Sequence, residues 1–254
     1  MSGALQAAFQ NQRSFGPPPG QQAFTTAGPF PVSWVAPAGV TKVSVVAVGG
    51  GRNGDYFTNC CGGYTLAGYG SALSYKNNYT VIPGNSYDVR VGPVATSSYF
   101  VATGVLYAAA VCSRVGDGGG NGGAEVLVPT SQPDMGGSGA GGYAGNGGTG
   151  GTAVTGAAGA GGGGGAGSAA GGRGGGGVGI LGQGSSGAGG TCGLRGGGGS
   201  GGTGGGSSVN GGLYGGGGGT GGTACTGTQG GAGAVRIIWP GCARSFPSTR
   251  TADE

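Results

Sequence analysis

The chain has 254 residues, and 76 of them are Gly, close to one in three against a usual share of roughly 7%. It carries 11 Lys and Arg, 7 Asp and Glu and no His, for a formal charge of +4, which removes His-dependent triads, the common zinc sites and the usual near-neutral acid–base catalyst. The absence of a G-X-Y period excludes collagen, the scattered single Arg and Lys argue against nucleic-acid binding, and apolar runs as short as Val43–Val48 span no bilayer.

In chain order, residues 1–28 read as a polar leader that ends in the Pro-Gly cluster Gly16-Pro17-Pro18-Pro19-Gly20. Its first residues lack an apolar h-region, so no secretory signal is expected. Leu5–Gln10 fits either a short anchoring helix or a loose terminus. Strands are then predicted at Phe30–Val35, Val43–Val48 and Ala72–Tyr79. Val43–Val48 is apolar on both faces, as in a buried strand. Pro83-Gly84-Asn85 predicts a hairpin turn between Tyr79–Ile82 and a half-exposed strand in which Tyr87, Val89 and Val91 alternate with Asp88 and Arg90. Weaker strands are predicted at Tyr99–Tyr107 and Ala124–Val128. Arg52–Cys61 interrupts this region and has no evident strand pattern.

From Gly136 to Gly233 there are 53 Gly in 98 residues, against 23 in the other 156. Ordering such a tract opposes an entropy of ~0.5–1 kcal/mol per Gly relative to Ala, and a Gly-Ser spacer of that length would stay flexible. This tract is not a Gly-Ser spacer. Long Gly runs (Gly136–Gly151, Gly159–Gly177, Gly187–Gly206, Gly211–Gly222) alternate with bulkier segments such as Val178–Gln183 and Ser207–Asn210. The pattern predicts polyglycine-II helices, with three residues per turn and no internal hydrogen bonds, packed backbone to backbone. Ala234–Trp239 then reads as a strand that should close the sheet near Val43–Val48 or Tyr87–Val91. The predicted fold is therefore all-β. A small antiparallel β-sandwich module (29–135 with 234–241) carries an inserted polyglycine-II bundle (136–233), between a leader (1–28) and a tail (242–254).

Trp34–Gly51, Tyr75-Lys76-Asn77-Asn78-Tyr79, the Gly-rich tract, Gly233–Gly241 and Arg244–Arg250 together resemble glycine-rich virion proteins of tailed bacteriophages. The tract also resembles the polyglycine-II sandwich of phage tail-fibre adhesins. Arg52–Cys61 and the Tyr-, Val- and Ala-rich stretch Val94–Cys112 depart from that pattern. The resemblance implies a non-enzymatic virion protein, made in a host cytoplasm and exposed extracellularly. Its role is either a receptor-binding tail-fibre tip that recognises a host surface protein or glycan, or a structural fibre, head-fibre or decoration component. The implied partners are other virion proteins (fibre, baseplate or capsid) and, as one option, further copies of the chain. No cofactor, metal, nucleic acid or membrane insertion is expected.

Tyr and Arg offer much contact area or directional bonding per residue, so they mark candidate receptor contacts in Gly-rich surroundings. These are Asp55, Tyr56, Phe57, Tyr64, Tyr69, Tyr143, Leu194, Arg195, Leu213 and Tyr214. For the tyrosines outside Asp55–Phe57, packing against the flanks of the bundle or between subunits is the competing reading. Cys60, Cys61, Cys112, Cys192, Cys225 and Cys242 form no C-x-x-C pair, so their expected chemistry is disulfides of open pairing, or none, in a cytosolic product. No nucleophile–base pair is legible. The carboxylates to check are Asp55 and Asp117.

Overall fold

Val43, Val45 and Ala47 alternate with Ser44, Val46 and Val48, and all are buried, because the strand they form lies in the middle layer of three. The computed structural model describes residues 17–59, 62–110, 113–124, 126–129, 134–152, 154–206, 209–220 and 228–248. Among them are thirteen strands and no helix. The first sheet runs in the order β1 (Gly20–Phe24), β13 (Ala234–Trp239), β3 (Lys42–Val48), β6 (Leu73–Thr80), β11 (Gly118–Gly120), with every pairing antiparallel. The second runs β10 (Arg114–Val115), β9 (Leu106–Ala108), β8 (Ser98–Phe100), β7 (Ser86–Arg90), β2 (Val32–Val35), also antiparallel. A third sheet of β12 (Leu127–Pro129), β5 (Gly62–Leu66) and β4 (Asp55–Asn59) stands apart from both.

The two large sheets enclose the main core. Trp34, Val43, Val45, Val89, Phe100, Leu106 and Ile237 fill it, and Trp34 meets Phe100 edge-on with ring centroids 6.1 Å apart. As expected, Ala234–Trp239 pairs with Val43–Val48, Ile237 opposite Val45. Three details differ from the sequence reading. Pro83-Gly84-Asn85 does make a turn (Asn85 N–H donates to Ile82 O at 3.0 Å, and Gly84 has φ +81°), but β6 and β7 that flank it belong to different sheets. The turn is a crossover between layers, which lets Val89 face Val43 and Val45 across the core. Tyr99–Tyr107 is two short strands joined by a turn, not one strand. Gly20–Phe24, placed in the leader, is an edge strand on β13; its Gln-Gln-Ala-Phe sequence carries too little apolar alternation to announce itself.

Beyond the ends of β3, β6 and β13 the backbone continues straight into glycine-rich extensions. Gly49 and Arg52 donate to Ala72 and Tyr69 of one neighbour, while Gly51 and Gly54 donate to Gly231 and Thr228 of another. The 136–220 region repeats this alternation in the length of its bonding step. Gly136, Gly139 and Gly142 donate to Gly151, Gly148 and Gly145; Gly137 and Ala140 to Arg173 and Gly176; Ser138 and Gly141 to Gly68 and Ser71. Bond partners thus recur every third residue, and successive residues address different neighbours. Apart from isolated bridges, this region holds no strand between Met135 and Ala234 among the described residues. A Cβ added at Gly164 or Gly176 would sit under 3.0 Å from the backbone of Gly176 or Gly197 respectively.

The tract covers the outer face of the first sheet. Tyr143, Val178 and Ile180 pack on Val46, Val48, Leu73 and Ile238, together with Phe246 from the C-terminal segment. Arg236, fully buried on β13, ties the layers by donating from Nε to Gln21 Oε1 at 2.6 Å and from Nη1 to Ile180 O at 3.3 Å.

Candidate functional site

The hydrogen-bond registers sort the tract into two ends. Gly49, Ala72 and Gly233 adjoin the sheets, so Gly54, Gly68 and Thr228 lie toward the far end. Gly217 N donates to Ser138 O and Thr220 N to Met135 O; Gly137 N donates to Arg173 O, and Ser168 N to Leu194 O. Met135, Arg173, Ser168 and Leu194 therefore share that far end with the hairpin of β4 and β5. Gly145, Gly162, Leu181, Ser200 and Leu213 lie at the near end, beside the sheets.

The candidates divide accordingly. Asp55, Tyr56, Phe57, Tyr64, Tyr69, Leu194 and Arg195 gather at the far end, although Leu194 is more than a hundred positions from any of the others except its neighbour. Arg52 organises part of the group. Its Nη1 donates to Tyr69 Oη at 3.1 Å, its guanidinium carbon lies 5.3 Å from the Tyr69 ring centroid, and its Nη2 is 3.9 Å from Asp55 Oδ2. Such an arrangement holds a planar cation over an aromatic face while leaving all three side chains partly solvated. Asp55–Asn59 forms β4 against β5, with Phe57 opposite Tyr64, so this segment is a strand pair where the sequence offered no strand pattern. The side chains of Tyr56, Phe57 and Tyr64 lie outside the described residues.

Leu194 is 60% exposed and lines a cleft with Arg173, Gly193, Arg195 and Gly206. Neighbouring turns support it: Gly193 N donates to Ser168 Oγ at 2.9 Å, and Cys192 N to Val154 O at 3.2 Å. The cleft thus combines an exposed apolar side chain with two arginines.

At the near end the reading needs correction. Tyr143 is 1% exposed and is no surface contact. Its ring stacks on Phe246 (5.9 Å) and Tyr75 (6.2 Å), and its hydroxyl donates to Gly179 O at 3.2 Å while accepting from Gly182 N at 3.1 Å. Burial pushes the phenol far above its ordinary range, against smaller opposing effects from the Gly182 N–H and the Arg236 charge. Tyr214 is half-buried against the same cluster, whereas Leu213 is 45% exposed. Leu213 and Tyr214 are therefore separated from Leu194 and Arg195 by the length of the tract.

Cys192 and Cys242 are exposed free thiols. Cys60, Cys61, Cys112 and Cys225 lie outside the described residues. Asp55 and Asp117 do not meet: Asp117 sits beside β6, its Oδ1 2.6 Å from Lys76 Nζ and its Oδ2 accepting from Asn77 N at 2.8 Å. Partial burial alone would raise the Asp117 carboxyl, but the Lys76 and Asn77 hydrogen bonds and the Lys76 charge outweigh it and hold the carboxyl below its ordinary value. The described residues contain no group of three or more His, Cys, Asp or Glu placed to hold a metal ion, and no helix among them is long and apolar enough to cross a membrane. Neither the protein-family models nor the curated proteins contain a match to the chain.

The sequence reading missed the two buried arginines, Arg236 and Arg244. Arg244 donates from Nη1 to Gly20 O at 2.7 Å and to Trp239 O at 3.2 Å. Apart from Trp239 O, five residues before Arg244, their hydrogen-bond partners come from sequence-distant elements, so little local signal distinguishes these arginines from exposed ones.

Proposed function

We propose that the chain is a non-enzymatic bacteriophage virion protein, a tail-fibre tip or comparable receptor-binding adhesin, in which a polyglycine-II bundle presents side chains to a host surface. The observation that carries the scaffold reading is the three-residue recurrence of hydrogen-bond partners, combined with glycines that leave no room for a Cβ. A helix with three residues per turn turns successive N–H and C=O groups toward different neighbours, so a bundle of them can pair its backbone on all sides. Residues 49–54, at ~3.1 Å each, then carry the β4–β5 hairpin roughly 15–20 Å beyond the sheets. Rigidity matters for recognition because a preorganised surface loses less entropy when it binds. The phage assignment rests on the sequence resemblance.

Particles carrying Leu194→Ala with Arg195→Ala, or with Tyr69→Ala, test this reading. The expected result is weakened attachment with normal particle assembly and unchanged protein folding. If particles lacking the protein attach as well as wild type, the adhesin reading falls, and a structural role as a fibre, head-fibre or decoration component replaces it.

A further inference from the structure

The two large sheets have four faces. Two form the core between them, and the tract covers a third. The fourth, the outer face of the second sheet, has no covering layer among the described residues. Inward positions on its strands are Val89, Ser98, Phe100, Leu106 and Ala108, all buried, so the alternate positions point outward.

Register aligns four of those outward residues across four strands. Val115 lies opposite Tyr107, Tyr107 opposite Tyr99, and Tyr99 opposite Arg90. Asp88 follows on the same face, two residues before Arg90. Val115 is 39% exposed, Asp88 is exposed, and Tyr99, Tyr107 and Arg90 are partly exposed. Ser97 Oγ donates to Tyr107 Oη at 2.9 Å, which fixes one ring. Arg90 Nε is buried and has no hydrogen-bond partner among the described residues, and no ion pair joins Arg90 to Asp88 there, although the Arg90 side chain as a whole is partly exposed. The strip therefore combines two adjacent aromatic rings with a partly exposed guanidinium and an exposed carboxylate that do not pair with each other, and it has no net charge.

We infer that this strip is a binding platform for a neutral polysaccharide. Pyranose rings present apolar C–H faces that stack on tyrosine and hydroxyl edges that both donate and accept. Tyr99 and Tyr107 supply the first complement; Arg90 and Asp88 supply the second. Adjacent strands lie ~4.8 Å apart, close to the length that one pyranose takes up along an extended chain, so successive sugars meet successive strands. The zero net charge selects a neutral ligand, since the Asp88 carboxylate opposes a phosphate or uronate brought to Arg90. The platform is separate from the far end of the tract.

The test is native electrophoresis of the full chain through gels containing soluble β-glucan, mannan or galactan, with polygalacturonate and single-stranded DNA as charged comparisons. At least one neutral polysaccharide should retard the protein more than either charged polymer. Tyr99→Ala with Tyr107→Ala should weaken that retardation about tenfold or more, Arg90→Ala and Asp88→Ala should weaken it less, and Tyr99→Phe with Tyr107→Phe should retain it. If the double Ala variant fails to fold, protection of Tyr99 and Tyr107 from iodination by the retarding polysaccharide decides instead. The inference is overturned by any of four results: no retardation in the neutral gels; stronger retardation by a charged polymer; an unaffected double Ala variant or unprotected tyrosines; or self-association that the double Ala variant abolishes, which would make the face a contact between copies. None of these depends on particle attachment, so failure here leaves the adhesin reading standing, and the converse also holds.

Discussion

The sandwich and the glycine tract obey one rule by opposite means. Each must pair its buried backbone groups. In the sandwich, neighbouring backbones pair in the plane of a sheet, and side chains such as Val45, Phe100 and Ile237 fill the space between sheets. In the tract, backbone pairs with backbone in several directions, and the space that side chains would occupy is taken by other main chain. A sandwich core is therefore tuned by the size of its residues, whereas the tract depends on their having no size at all. Substitutions should fall on the two regions very differently.

The largest effect is expected in the tract. Gly164→Val would force a branched side chain into the Gly176 backbone, and we expect a loss of more than about 4 kcal/mol or failure to fold. Val45→Ala, in the sandwich core, should cost only ~2 kcal/mol. Urea denaturation of both variants checks the contrast, and equal losses would break it. Phe246→Ala tests the joint between the regions, because Phe246 stacks on Tyr143 of the tract and meets Tyr75 of the sheet at a tilt, while exchanging two backbone hydrogen bonds with the Asn77 amide. The expected cost is ~3 kcal/mol, with hydrogen exchange accelerating at the near end of the tract before the sandwich. Uniform acceleration would mean that the two regions unfold as one.

A smaller effect is expected for Tyr143→Phe. It leaves Gly179 O and Gly182 N without their hydroxyl partner in a buried site, at a cost of ~1–3 kcal/mol. A thermal melt indistinguishable from wild type would show that the joint depends on the ring alone. The smallest effect concerns Lys76–Asp117, which is partly exposed and worth under about 1 kcal/mol. Because the Asp117 carboxyl is held below its ordinary value when folded, its contribution is present at neutral pH and is lost as the pH falls below about 4. The stability gap between wild type and Asp117→Asn should close on acidification. A gap that persists at pH 2–3 would assign the effect to packing.

Much of the sandwich was legible along the chain. Alternation in Val43–Val48 and Tyr87–Val91, and the terminal apolar segment Ala234–Trp239, are local signals of period two. The hairpin of β4 and β5 was not legible, because Asp55–Asn59 lacks that alternation and takes its pairing from Gly62–Leu66. Of the candidate contacts, the residue types were readable and their grouping was not. Tyr143 and Leu194 look alike in sequence, each a large side chain among glycines, yet one is sealed under Phe246 and the other stands open at the far end.

What the sequence determined by itself was the class of the fold, the location of the main buried strands and the chemistry that a chain without His and with few charges has available. Those follow from composition and short-range periodicity, which each segment carries locally. Tertiary structure alone decided that the Pro83-Gly84-Asn85 turn crosses between sheets, that Arg236 and Arg244 are buried, and that Tyr99, Tyr107, Arg90 and Asp88 share one open face. The physical reason is that register, layering and burial depend on which sequence-distant backbones pair, and no local pattern encodes the partner.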